Sequence, residues 1–353
     1  MQNSKNNYIS TAKAIGIILM VVGHSQCPTI LHNIIYMFHM PLFFFCSGYF
    51  FHKSTNKKAL SSFFLKKIKG LYLPYIKWSF AFLLLHNVFY LLNIYNRQYG
   101  YLGGSHLYNT NEFFNNLINI VFTMDGHEYL LGGFWFIKIL FIDTTLLGFI
   151  YFFIKEEKQD INMGILLVLL VLTIILRYMH IKSFPIIGDL SLITYGGVFV
   201  IIGHIYKSLE KTKIYHKGYI LSAIIVFMTS LFYYKEGLSI QCYYKNIIPY
   251  TIISSLGIYL TFSFSLFIDN FIIKKIFYNI GQSTMMILSL HFLSFKLVSI
   301  SLIYLYDIPI YHLSEYPVLN ISNGNYWCLY SLTGIILPLL VKYLYYNTQY
   351  RFI

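Results

Sequence analysis

Ten apolar stretches follow one another along this chain with short polar gaps between them. They lie near residues 9–24, 32–52, 72–94, 133–154, 162–180, 187–206, 218–234, 247–268, 283–305 and 326–346. Each is long enough, or nearly so, to cross the roughly 30 Å hydrocarbon layer of a bilayer as a helix. Only 11% of the 353 residues are charged and 57% are hydrophobic, whereas soluble domains carry about 25% charged residues. The pattern predicts an all-α, polytopic integral membrane bundle of about ten transmembrane helices, a single domain over residues 1–353. The stretch Phe113–Phe122 is too brief to cross and reads as a re-entrant or interfacial helix. The apolar run from Ile9 to Val22 resembles a signal peptide, but no Ala-x-Ala cleavage pattern follows it. It is expected to stay as the first helix.

The net charge of +13 raises nucleic acid as a partner, yet the lysines sit in clusters between apolar runs and form no single basic face. Positive-inside topology accounts for them. With the N-terminus inside, the inner gaps hold Lys5; Lys53, Lys57, Lys58, Lys66, Lys67 and Lys69; Lys155 and Lys158; Lys207, Lys211, Lys213 and Lys217; Lys274 and Lys275; and Arg351. The outer gaps hold only Arg97, Lys182, Lys235 and Lys245, a split of sixteen against four. A missed or invented span would scramble this alternation, so both termini are expected in the cytoplasm. The largest outer segment, 95–132, contains Gly103, Gly104, Asn109, Asn111, Asp125, His127 and Glu128; the gap 306–325 has no Lys or Arg and includes Asp307, His312 and Glu315. A loop of the first kind is long enough to carry function. Cys27, Cys46, Cys242 and Cys328 are scattered without CxxC spacing and imply neither a metal site nor a disulfide framework.

Ionisable groups inside spans are costly and mark functional interiors. The first helix carries two, Lys13 and His24, followed by Ser25. Eleven residues are about three turns and about 16 Å, and bring both side chains back to nearly one face. The competing reading is that Lys13 snorkels to the interface and His24 merely ends the helix. The second span enters with Phe38-His39-Met40-Pro41, which sets His39 at a depth similar to His24. Its Ser47-Gly48 pair allows close approach of a backbone or a slender ligand. Trp135 is a sugar-stacking residue or an interfacial anchor. Lys138 is a ligand for donor phosphate or a counter-charge to Asp143. His291, near mid-membrane, is a site residue or a hydrogen-bonded core histidine. Arg177, Lys77 and Lys296 read as interfacial or structural.

These residues resemble the acyltransferase 3 family of membrane-bound O-acyltransferases, especially its fucose 4-O-acetylase-like branch. The family's first-helix motif, a basic residue, ten intervening residues and histidine, is matched by Lys13 and His24, with Lys in place of the usual Arg. Phe38 through Tyr49 matches the second-helix pattern; Phe134-Trp135-Phe136-Ile137-Lys138 and Gly281 through His291 are further family-like elements. The resemblance implies transfer of an acyl group, most often acetyl from acetyl-CoA, to a carbohydrate or lipid-linked glycan hydroxyl. By motif it implies His24 as catalytic and Lys13 toward the donor; from their places in the spans, His39 is expected beside His24, Ser47 and Lys138 toward the donor, and Ser25, Trp135 and His291 toward the acceptor. No metal is implied. Lysine at position 13 keeps the charge but lacks the bidentate fork of arginine for phosphate.

Acetyl-CoA, made in the cytosol and anionic, would enter by the lysine-rich face, its pantetheine arm reaching toward His24. Histidine, ordinarily titrating near pH 6.5, suits removal of a hydroxyl proton; an acyl-imidazole on His24 is the competing route. The residues leave two other classes open, a transporter or flippase of a lipid-linked glycan and a non-catalytic assembly factor. A transporter is expected to show internal repeats or broken helices in corresponding places, and none is visible in the sequence. Membrane lipids and the glycan are the expected partners, with self-association open, and the expected location is a bacterial inner membrane.

Overall fold

The computed structural model describes residues 7–99, 104–154, 158–181, 188–209, 218–321 and 325–351. Lys5, Gly103, Lys155, Lys182, Lys211, Lys213, Lys217 and the Arg351 side chain, which entered the readings above, lie outside the described residues. The chain is all-helical, with 76% helix and no strands among the described residues. In order, the helices are α1 (Asn7–Gly23), α2 (Thr29–Tyr36), α3 (His39–Tyr49), α4 (Lys57–Lys67), α5 (Leu73–Leu91), α6 (Thr110–Phe122), α7 (Phe134–Phe153), α8 (Gln159–Tyr178), α9 (Leu190–Leu209), α10 (Tyr219–Phe232), α11 (Ile247–Ile268), α12 (Lys274–Gly281), α13 (Thr284–Leu305) and α14 (Trp327–Arg351).

Each of the ten apolar stretches falls on helix. Seven are long and apolar enough to cross a membrane: Thr29–Tyr49, Phe134–Phe153, Gln159–Tyr178, Leu190–Leu209, Tyr244–Ile268, Thr284–Leu305 and Trp327–Tyr345. Tyr8–Gly23 and Tyr219–Phe232 are apolar but shorter. Leu73–Leu91, with 19 residues, carries Lys77, His86 and Asn87, which dilute its hydropathy. The stretch expected to be re-entrant or interfacial is α6, capped reciprocally by Asn109 and Glu112. It leaves Phe114, Ile118 and Phe122 exposed at helical spacing. The Asn109 N–H, and then His106, hold the Glu112 carboxyl below the usual carboxylate range.

The second span is interrupted. A proline ring collides with the carbonyl four residues before it, and for Pro41 that carbonyl belongs to Met37. The chain breaks between α2 and α3, with Phe38 at φ −146. The freed carbonyls are caught from α11: Ser254 Oγ donates to Met37 O at 2.6 Å and Tyr250 OH to Tyr36 O at 3.2 Å. Where no water reaches, side chains must take over lost backbone bonds.

The contacts divide the chain into two compact units. The first comprises Met1–Gly16, Thr29–Tyr72 and Phe136–Gly281. Its centre is α3 against α9, which meet backbone to backbone. A Cβ on Gly48 would stand 1.8 Å from Val200 O, and one on Gly203 2.1 Å from Phe45 O. α1 joins this unit through Gly16, against Leu42 and Phe43, and through a 2.9 Å bond between the Tyr8 and Tyr49 hydroxyls. Asn33 ties α2 to the end of α10 through the Tyr233 and Tyr234 carbonyls. Arg177 closes the far end of α8 on Ile240 O at 2.7 Å, with its guanidinium over the Tyr195 ring.

The second unit comprises Ile17–Pro28, Leu73–Trp135 and Gln282–Ile353. α13 and α14 form its spine, with Ser299 Oγ 3.0 Å from Tyr330 OH and Gly334 fitted beneath Phe295 and Val21. The two outer segments of the sequence reading meet here. Asn96 Nδ2 donates to Tyr311 O at 2.6 Å, and Tyr99 stacks on Tyr311 and His312.

Replacing Gly48 with Ala should force α3 from α9, costing about 2 kcal/mol as an overpacked interface does. Gly164 meets nothing within 4 Å, so Gly164→Ala should instead be neutral or stabilise by up to about 1 kcal/mol. Thermal unfolding of the two variants in detergent checks the contrast.

Candidate active site

His24 stands one residue past the end of α1, and its backbone N–H still bonds to Met20 O at 3.2 Å. Its ring is half-buried, with its centroid 5.0 Å from Phe292 and 5.7 Å from His291. Lys13 is also half-buried on the same helix, eleven residues earlier, hence about 16 Å away along the axis and nearly in line.

His291 is fully buried on α13. Its Nδ1 lies 3.1 Å from Ile287 O and 3.0 Å from Leu288 O. Carbonyls only accept, so this geometry assigns the ring proton to Nδ1 and leaves the Nε2 lone pair outward. Nε2 is sealed from solvent and has no hydrogen-bond partner. An orphaned buried acceptor of this kind costs about 1–3 kcal/mol, a cost that a donated hydroxyl would remove. Phe292, whose ring also touches His24, packs on Tyr316 at 4.8 Å. The loop bearing Tyr316 is fastened by Lys296, whose buried ammonium donates to Leu313 O at 2.9 Å and Glu315 O at 2.6 Å. Sequence reasoning read Lys296 as interfacial or structural; the fastening agrees with the structural half. The roles of Phe292 and Tyr316 went unread, since an aromatic among aromatics carries no sequence signal.

Ser25 is buried with its hydroxyl already engaged. It donates to Val22 O at 2.7 Å and accepts from Ser331 Oγ at 2.9 Å, which joins the end of α1 to α14. Trp135 is half-buried at the start of α7. His24, Ser25, Trp135 and His291 therefore belong to the second unit, with His24 and His291 in proximity.

Lys13, His39, Ser47 and Lys138 belong to the first unit. His39 is buried, with Nδ1 2.8 Å from Ile35 O and its ring edge-on to Tyr36. Ser47 is half-buried beside the Gly48 contact. Lys138 is buried near Gly188. The Asp143 carboxyl faces the Gly196–Gly197 pair of α9, 2.3 Å from where a Gly196 Cβ would stand, and its Oδ2 has no hydrogen-bond partner.

Other titratable groups are committed elsewhere. Glu128 of the long outer segment is buried and pairs at 2.9 Å with His86 Nδ1, whose Nε2 faces His106 O. All four cysteines are free. Burial pushes the Cys27 thiol up to about 11 and, against the pull of Arg177, the Cys242 thiol up to about 11. Neither is poised as a thiolate nucleophile. Among the described residues no three His, Cys, Asp or Glu side chains gather as metal ligands.

Within the second unit the arrangement offers two imidazoles, His24 and His291, with ring centroids 5.7 Å apart and planes tilted by 30°. The first is partly open and the second is pinned by its own helix. The family described as an acyltransferase domain, the acyltransferase 3 family, matches residues 6–343, and the chain belongs to it. The protein is a membrane acyltransferase by family and by its apolar helices. No curated protein and no solved structure matches it.

Glu128→Ala should leave His86 facing an empty, buried position and cost about 3 kcal/mol, the lower range for breaking a buried ion pair. The unfolding midpoint in detergent measures this.

Proposed function

We propose that this acyltransferase moves an acetyl group from acetyl-CoA to a hydroxyl of a carbohydrate or lipid-linked glycan, as in the fucose 4-O-acetylase-like branch. The observation that carries the reading is His24, half-buried beside the unpartnered Nε2 of His291 on the helix that also bears Lys13. Ten spans with both termini cytoplasmic, in a bacterial inner membrane, fit the alternation of lysine-rich gaps.

In this reading the donor's anionic end lies toward Lys13, with Ser47 and Lys138 on its path, and its arm follows α1 to His24. The acceptor hydroxyl attacks the thioester carbonyl while His24, with His39 in a supporting role, takes the hydroxyl proton. The new C–O bond forms, the C–S bond breaks, and the proton passes to the departing sulfur, leaving ester and free thiol. General-base action of a placed histidine contributes about 10²–10⁴-fold. His291, Ser25 and Trp135 lie on the acceptor's side, where the His291 lone pair receives a polar hydrogen.

The interruption at Pro41 favours a second reading, since transporters build sites at broken helices. Purified protein incubated with radiolabelled acetyl-CoA and candidate glycans separates the two. Label on glycan is the expected result; movement of unmodified glycan across vesicles without labelling supports transport instead. His24→Ala should reduce acyl transfer at least about 100-fold while the protein stays folded in membranes. Unchanged activity would remove His24 from the chemistry.

A further inference from the structure

Space, and not backbone conformation, keeps residue 132 a glycine. Gly132 has φ −54 and ψ −19, ordinary right-handed dihedrals that any residue can adopt. A Cβ there would stand 2.4 Å from Tyr316 OH, 3.1 Å from Tyr129 O and 3.4 Å from Phe292 Cε2, its three nearest atoms. Every other atom of Tyr316 therefore lies at 3.4 Å or beyond, so the hydroxyl is the part of that side chain that bars the position. Gly133 is seated in the same way, its Cβ position 2.6 Å from Leu288 Cδ1. The two glycines thus rest on the stretch of α13 that runs from Leu288 to His291 and Phe292.

Tyr316 also backs Phe292. Its ring packs on Phe292 at 4.8 Å and edge-on to Tyr129 at 5.3 Å, while Phe292 lies 5.0 Å from the His24 ring. The residues that lead into Tyr316 are tied down from two sides. Lys296, one turn beyond Phe292 on α13, holds Leu313 O and Glu315 O. The Glu315 carboxylate accepts from Asn320 N at 2.7 Å through Oε2 and meets His312 Nδ1 at 2.6 Å through Oε1. A ring contact is a sum of small dispersion terms with no direction of its own. Anchoring the loop to the helix that bears Phe292 gives this contact a fixed geometry. All of these groups, and His24, belong to the second unit.

We infer that Tyr316 is a positioning residue: its ring, lodged over Gly132 and against Phe292, backs Phe292 onto the His24 imidazole and so sets the angle at which that imidazole meets the acceptor. This rests on the acyl-transfer reading above, in which the angle of His24 governs the rate. A displacement of about 1 Å at a reacting group can cost about 100-fold, so a wall that keeps the imidazole from drifting acts on the chemical step without touching substrate. The ring supplies the backing, and the hydroxyl is the atom that a side chain at position 132 would strike first.

A double-mutant cycle on the full chain tests this, with the monodisperse fraction of each variant reconstituted in vesicles so that a folding defect does not count as a loss. Transfer is followed with acetyl-CoA and the glycan that takes up label in the assay above. Gly132→Ala should lower kcat about tenfold by displacing the Tyr316 ring, and leave KM for acetyl-CoA nearly unchanged. In the Tyr316→Phe background, where the obstructing oxygen is gone, the same Gly132→Ala change should cost less than about threefold in kcat. A second readout needs no turnover: the rate at which diethyl pyrocarbonate carbethoxylates His24, read by mass spectrometry. That rate should rise in Gly132→Ala as Phe292 draws back, and fall again in the double variant. An equal loss of kcat in both backgrounds, a loss confined to KM, or a His24 modification rate that Gly132→Ala leaves unchanged overturns the inference. A wild-type protein that transfers no acetyl group from acetyl-CoA to any glycan overturns the acetyl-CoA reading instead, and the modification rates alone then decide the inference.

Discussion

A helix that enters hydrocarbon has no water to fall back on, so every backbone group it frees must find a partner within the protein. At Pro41 this demand shapes the centre of the first unit. The proline forces the chain to part at Met37–Phe38, and α11 must bring Ser254 and Tyr250 to the exposed carbonyls. Helix α11 is held against the break, and Gly257, one turn beyond Ser254, has Phe38 packed directly upon it. The span that bears His39 and Ser47 is thus locked by the repair of its own defect. Its later half then presses glycine to backbone against α9, a contact that dispersion alone stabilises where lipid competes on equal terms with any apolar side chain.

The same scarcity of partners gives the buried polar groups their meaning. Lys296, Arg177 and Glu128 lie in or near apolar helices and are engaged by structure: two carbonyls for Lys296, two for Arg177, and a histidine for one oxygen of Glu128, whose Oε1 is left buried without a partner. The Nε2 atom of His291, like Glu128 Oε1 and Asp143 Oδ2, is buried without a partner, and its ring is pinned at Nδ1. Beside it, His24 retains partial exposure. A pinned acceptor next to an accessible imidazole is a reasonable place to receive a hydroxyl, and family membership makes acyl transfer the chemistry to test there.

Much of this was legible before any coordinates. The apolar runs named every long helix because length and hydropathy are local quantities, and the short run at 113–122 declared itself as the amphipathic α6. The motif spacing that placed Lys13 and His24 on one face rests only on helical periodicity. Other features were not legible. The break in the second span was not legible, because a proline in the first turns of a span is either tolerated or kinks it, and the local sequence does not separate the two. No local pattern shows that the Ser25 hydroxyl bonds to Val22 and Ser331, the latter three hundred residues away in the chain. Asp143 was weighed as the counter-charge of Lys138, but its carboxyl faces a glycine pair on α9.

The amino-acid sequence by itself determined the solvent, the secondary structure, the family and the register of the first-helix motif, since each depends on composition or on spacing within one segment. Only the tertiary structure decided which polar groups are spent and which remain available. Satisfaction of a hydrogen bond is settled by partners distant in the chain: Ser331 for Ser25, Glu128 for His86, His52 for Lys207. A residue's capacity for chemistry is what remains after those long-range bonds are made, and no local pattern records it.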